Sequence, residues 1–215
     1  MASHAARHFL RVAAAQEAAA MADPGAGRGR HTQYELALAQ LAVHRRRLHD
    51  IQSIERRAEV KRQLIPEYDP YLEGVLVAGS GQQDDVLATL LVWKIDAGDI
   101  PGALTLADYV LAHDLRLPEQ FKRDPATLIA EEVADAALKP GSLVPLAELS
   151  ETESLTRGHD MPDEVRAKLH RALGLAMEAA GLPDQSLAHL NRALTLHEKV
   201  GAKKDIERLT RALRK

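Results

Sequence analysis

Two kinds of residue in this chain have types and spacings that bear on chemistry at a phosphodiester. The first kind is acidic: Asp84-Asp85 and Glu131-Glu132, with Asp135 close behind the second pair. Two-metal phosphoryl hydrolysis needs several carboxylates converging on cations roughly 4 Å apart. Neighbours in sequence on a helix point about 100° apart, so each pair supplies one good ligand. A site would need Asp84 or Asp85 to meet Glu131, Glu132 or Asp135 in space, and Mg²⁺ would then be its cofactor. The plainer reading places the Asp pair in the first turn of a helix, where negative charge is favourable, and the Glu pair on a solvated face. On that reading no catalytic or metal-ligating residue is assigned and no cofactor is expected.

The second kind is basic. Arg45-Arg46-Arg47 is followed by Arg56, Arg57, Lys61 and Arg62, and Arg28 and Arg30 precede them in a Gly-rich stretch. From Arg28 to Gln63 there are nine Lys/Arg against four Asp/Glu, net +5. Each cation that neutralises a phosphate releases a counterion, so such a segment suits a salt-dependent grip on a polyanion. Arg57 and Lys61, four apart, share one helix face. The plainer reading is a solvated helix partly neutralised by Asp50, Glu55 and Glu59. The rest of the charge is sorted too: Leu64 to Glu164 has six Lys/Arg against twenty Asp/Glu, net −14, and Val165 to Lys215 has eleven against five, net +6. Such asymmetry points to different partners for different segments.

Other chemistries find no pattern. The ten His include no HExxH, and His4 with His8, four apart, has no carboxylate nearby to complete a metal site. His170, His189 and His197 read as surface or interhelical polar groups. The Gly-rich stretches 25–29 and 79–81 lack the Lys of a nucleotide-binding loop. With no cysteine there is neither a disulfide nor a thiolate metal site. No apolar run approaches a membrane span, and the N-terminus lacks a signal-peptide core. Two Phe, one Trp and four Tyr leave Ala and Leu to supply the core, which favours packed helices. A soluble intracellular protein is expected.

The elements that must position these residues follow from periodicity and breakers. Residues 5–22 are Ala-rich and form a helix that is marginal alone. Pro24 with Gly25, Gly27 and Gly29 makes a flexible linker. Thr32 is a plausible cap with Glu35 as its partner. From Gln33 to Leu64 there is no Gly or Pro, and Tyr34, Ala37, Leu41, His44, Leu48 and Ile51 form a stripe. One long basic helix of roughly 48 Å is expected, ended by Pro66, its first half suited to self-association. Helices follow at 84–97, 100–115 and 128–138, with Gly98 and Pro140-Gly141 as stops. Residues 140–162, rich in Ser, Thr, Glu and Pro, read as a linker. Three helices are expected at 163–180, 184–199 and 203–214. Leu173-Gly174, Met177, Gly181, Leu190, Ala193 and Leu194 fall near the spacing of one tetratricopeptide repeat. The expected architecture is all-α: 1–30 helix and linker, 31–65 long basic helix, 66–140 acidic helical domain, 141–162 linker, and 163–215 tetratricopeptide-like hairpins. No compact helix-turn-helix is found in the first hundred residues. Duplex contact is therefore expected through basic surfaces multiplied by assembly.

The stretches GVLVAGSGQQDDVLATLLVWKIDAGDIPGALTLADYVLAHDLRLPEQFKR and DMPDEVRAKLHRALGLAMEAAGLPDQSLAHLNRALTLHEKVGAKKDIERLTRAL, with RHFLRVAAAQEAAA and the arm from Tyr34 to Leu76, carry a likeness over nearly the whole chain. Gly81 to Asp85, Trp93 to Gly98 and Met161 to Lys168 are its most specific parts. The chain resembles the small terminase subunit of peduovirus-type temperate tailed phages with cohesive-end genomes. The resemblance implies recognition of the packaging site on double-stranded viral DNA in the host cytoplasm. It also implies recruitment of a large subunit carrying the ATPase motor and, generally, the nuclease, and a homo-oligomeric ring. The family is commonly labelled the terminase endonuclease subunit. Its members can continue into a Lys/Arg/Pro-rich tail, whereas this chain stops at Lys215, so contacts made by such a tail are expected to be absent. Two other classes stay open: a Mg²⁺-dependent endonuclease cutting the cohesive-end site itself, and a helical scaffold that binds no DNA.

Overall fold

A computed structural model describes residues 3–21, 32–142 and 144–214. Among the described residues there are eleven α-helices and no strand, so the chain is all-α. The helices are α1 (His4–Met21), α2 (Thr32–His49), α3 (Ile54–Leu64), α4 (Asp69–Ala78), α5 (Asp85–Ala97) and α6 (Ile100–Ala112). They continue with α7 (Pro125–Leu138), α8 (Leu146–Thr156), α9 (Asp163–Ala179), α10 (Pro183–Leu196) and α11 (Lys203–Leu213). Packing divides them into two units, Met1–Phe121 and Lys122–Lys215. This division differs from the partition expected at 66–140, 141–162 and 163–215: α7 packs on α8 and α9 rather than with the preceding acidic helices.

In the first unit α5 is the central helix. Ten of its 13 residues are buried, so it is apolar nearly all round and must be surrounded. It touches α2, α3 and α6. Asp84 caps it by accepting the Leu87 N–H at 2.8 Å, and Gly98 ends it at φ 83°, where a side chain would be strained. The Ala-rich α1 gains its partner in α4. A Cβ on Gly74 would lie 2.6 Å from the Arg11 carbonyl and 2.7 Å from the Ala14 Cβ, so the bare glycine sets how near the two helices come.

The single long helix expected over Gln33–Leu64 is two helices. α2 ends at His49, and α3 starts at Ile54 after Ser53, whose extended backbone (φ −69°, ψ 128°) and side chain make it an N-cap. The Ser53 Oγ accepts the Arg56 N–H at 3.2 Å. A helix can therefore stop without Gly or Pro when a hydroxyl replaces the lost backbone acceptors. At the other end of α2, the Gln33 N–H donates to the Glu17 carboxylate of α1 at 2.7 Å. The stripe of α2 turns inward: Ala37, Leu41 and Leu48 are buried within their own unit.

In the second unit, the expected linker 141–162 contains α8. Its polar residues hide their hydroxyls by bonding back one turn: Thr152 to the Glu148 carbonyl at 2.7 Å and Thr156 to the Thr152 carbonyl at 2.8 Å. Leu149, Thr152 and Thr156 are fully buried. α9 and α10 form a tight antiparallel hairpin. The Ser186 hydroxyl donates to the Gly174 carbonyl at 2.7 Å, and a Cβ on Gly174 would lie 2.7 Å from Leu190. Ala167, Leu190, Ala193, Val200, Ala202 and Leu209 form the core that adds α11. The close hairpin is the observed fact; a tetratricopeptide identity is not carried by it.

Candidate nucleic-acid interface

The cations of the two-helix arm are used in different ways. Arg45, Arg46 and Arg47 occupy the last turn of α2 and are all exposed. Positive side chains there complement the negative end of the helix dipole. Arg46 touches its own helix, Nε to the Ala42 carbonyl at 3.3 Å; Arg45 and Arg47 make no hydrogen bond or ion pair among the described residues. The chain then bends through residues 50–53, and the Ser53 cap directs α3 away. Arg56 and Arg57 stand in the first turn of α3. Arg56 pairs with Glu59 at 2.5 Å, and the Arg57 Nη2 donates back to the Gln52 carbonyl at 3.0 Å. The bend thus gathers five exposed arginines from the ends of two helices, a grouping that one straight helix would have spread along its length.

Lys61 and Arg62 lie on the other side of α3 and serve the fold. Val60 and Leu64 bury that side. The Lys61 side chain is 14% exposed and ion-paired to Asp96, and its ammonium sits 5.8 Å from the centre of the Trp93 ring. The Arg62 Nε donates to the Ala97 carbonyl at 2.8 Å, satisfying the C-terminal end of α5. Arg28 and Arg30 lie outside the described residues.

Behind the bend runs an aromatic relay that sequence reasoning missed. The His44 Nδ1 and the Tyr68 hydroxyl are 2.8 Å apart, and the Tyr68 ring meets Trp93 edge-on at 6.5 Å. Burial pushes the Tyr68 hydroxyl well above its ordinary pKa and holds the His44 imidazole below its own. The relay ties α2, the 3-10 turn Ile65–Glu67, α5 and α3 together. The signal available was the chain's sole Trp and the place of His44 on the apolar stripe.

The acidic candidates are engaged elsewhere. Asp84 is 5% exposed; besides capping α5 it accepts the Tyr71 hydroxyl at 2.5 Å, and burial pushes its carboxyl above the usual range. Glu131 pairs with Arg123 at 2.5 Å and with Lys168 at 3.1 Å, Glu132 lies 3.6 Å from Arg123, and Asp135 joins Lys168 at 3.1 Å. The Lys168 bridges hold α7 to α9 within the second unit, whereas Asp84 and Asp85 belong to the first. Among the described residues no three His, Asp or Glu are grouped to hold a metal ion. His170 and His189 face each other across the α9–α10 hairpin, their Nδ1 atoms 3.0 Å apart.

Comparison with known proteins decides the family. The model for the phage small terminase subunit matches residues 38–164. The chain belongs to that family. The matched stretch includes the whole α2–α3 bend and the helix α5 that anchors it. The chain is also similar to the "Terminase, endonuclease subunit" of Escherichia phage P2, with 45% identity over 218 residues, covering 100% of this chain and 87% of the relative. No solved structure matches. Among the described residues no helix of this family member is long and apolar enough to cross a membrane.

Proposed function

We propose that this small terminase subunit recognises double-stranded viral DNA at the packaging, cohesive-end site and recruits the large ATPase and nuclease subunit, in the host cytoplasm. The observation that carries this reading is the cluster of Arg45, Arg46, Arg47, Arg56 and Arg57, exposed at one bend inside the family-matched segment. Arginines in such a place neutralise phosphates and position a protein on a duplex. Their contacts are individually modest, so assembly of several copies raises the grip by avidity. The acidic helices of the first unit and the C-terminal hairpin are the surfaces offered to the large subunit.

The test is retention of duplex containing the packaging site across a range of salt. Replacing Arg45, Arg46 and Arg47 together by Ala should lower the slope of log affinity against log salt by about 2.7, roughly 0.9 for each phosphate no longer neutralised. An unchanged slope, or a wild-type chain that ignores duplex in dilute buffer, overturns the reading in favour of a scaffold. The endonuclease reading is supported by the printed name of the P2 relative. Under it, purified protein with Mg²⁺ cuts site-containing duplex, and Asp85→Asn abolishes the cut.

A further inference from the structure

α1 has two apolar sides and uses one. Ala14 and Ala18 are buried against α4, and the close approach at Gly74 fixes which way the helix is turned. The opposite side carries Ala5, Phe9, Val12, Gln16 and Ala19, at steps of four, three, four and three. Phe9 is 68% exposed and Val12 38%. Beside them Val77 of α4 is 78% exposed. A shallow recess of about 520 Å³ lies between Val12, Ala15, Ala19 and Val77, rimmed by Arg11 and Gln16.

The alternation of four and three is the 3.5-residue repeat of a helix–helix seam, whose knobs need the holes of a facing helix. A surface that presents a protruding Phe9 and an apolar recess on the same side is complementary to its own two-fold mate. The seam carries no charge, so two copies meet along it without opposing like charges. One polar residue, Gln16, interrupts it, as a residue that fixes register does. The apolar stripe of α2, the sequence-level candidate for self-association, is buried inside its own unit and unavailable.

We propose that a second copy of this chain covers this face, α1 pairing with α1 across a two-fold axis and Val77 flanking the seam. The pairing supplies the assembly that the DNA reading invokes, yet its test involves no DNA. The chain has no cysteine, so Val12→Cys introduces a sole thiol at the middle of the seam. A short bis-maleimide should then link two full-length chains, while Val43→Cys, on an exposed part of α2, should stay unlinked. Wild-type mass in solution should be an even multiple of one chain. Phe9→Lys with Val12→Lys, both at exposed positions, should give half that assembly or a single chain while keeping the helical circular dichroism of wild type. A single-chain or odd-numbered wild type, an unchanged mass in the double variant, or equal linking at positions 12 and 43 overturns the proposal. Pairing with no retention of duplex would sink the DNA reading and leave this one standing.

Discussion

The ammonium of Lys61 lies 5.8 Å from the centre of the Trp93 ring while it pairs with Asp96. This contact, with Arg62 on the Ala97 carbonyl, clamps α3 onto α5 and leaves the arginine bend projecting from a fixed base. Removing either cation should therefore cost stability and leave phosphate contact alone. Lys61→Ala and Arg62→Ala are each expected to destabilise by about 1–2 kcal/mol in urea unfolding. Neither should change the salt slope of duplex retention.

The Ser53 cap has a separable role. Ser53→Ala strips the acceptor from the Arg56 N–H and should cost about 1 kcal/mol, whereas Ser53→Asp should restore it. The first turn of α3 frays in the Ala variant, so Arg56 and Arg57 lose fixed placement. Duplex retention should weaken, though less than in the triple Arg45, Arg46, Arg47 variant. Equal stability of the Ser and Ala forms would count against the cap as the cause of the bend.

Three glycine-to-alanine changes should part company. In a helix, Ala is usually the better residue by roughly 1 kcal/mol. At Gly74 and Gly174 the added Cβ meets neighbours at 2.6 Å and 2.7 Å, and overpacking of this kind costs about 1–3 kcal/mol. At Gly158 nothing lies within 4 Å. Melting curves should show Gly74→Ala and Gly174→Ala lowered and Gly158→Ala unchanged or raised.

Acid should weaken the second unit through the α9–α10 hairpin. Burial, then the neighbouring His189, lowers His170 from the ordinary 6.5 to about 4, and burial lowers His189 as well. Glu153 of α8 pulls both the other way, while Arg166 of α9 and Arg192 of α10 reinforce the lowering at His170. The folded chain thus binds these protons less readily than the unfolded chain. Their contribution is intact above pH 6.5 and is lost as pH falls towards 4. A loss of roughly 1–2 kcal/mol is expected after allowing for solvent screening. Denaturation at about pH 7 and about pH 4.5 measures it, and His170→Gln should flatten the difference.

The legible parts of the fold were those written in backbone punctuation. Gly98 and Pro101 place the joint between α5 and α6, and Gly181 with Pro183 places the hairpin turn. The bend at residues 50–53 was hidden because a serine hydroxyl, not a Gly or Pro, ends the helix. α8 was hidden because its buried side includes two threonines that satisfy their hydroxyls within their own helix, so polarity misreported burial. Of the arginine cluster, the residues themselves were readable from charge, but their separation into projecting and clamping groups was not. That separation depends on which side of α3 meets Asp96 and Ala97, thirty-five residues away.

The seating of α1 at Gly74 bears on how the chain tolerates trimming. The family-matched stretch begins at residue 38, inside α2, so a fragment cut to that boundary discards α1 and the first turn of α2. Such a fragment would bare the notch at Gly74 and the buried flank of Val75 to water, and would drop the carboxylate of Glu17. Poor solubility of a shortened chain would then report a missing wall of the first unit, and say nothing against the grip of the arginines it retains.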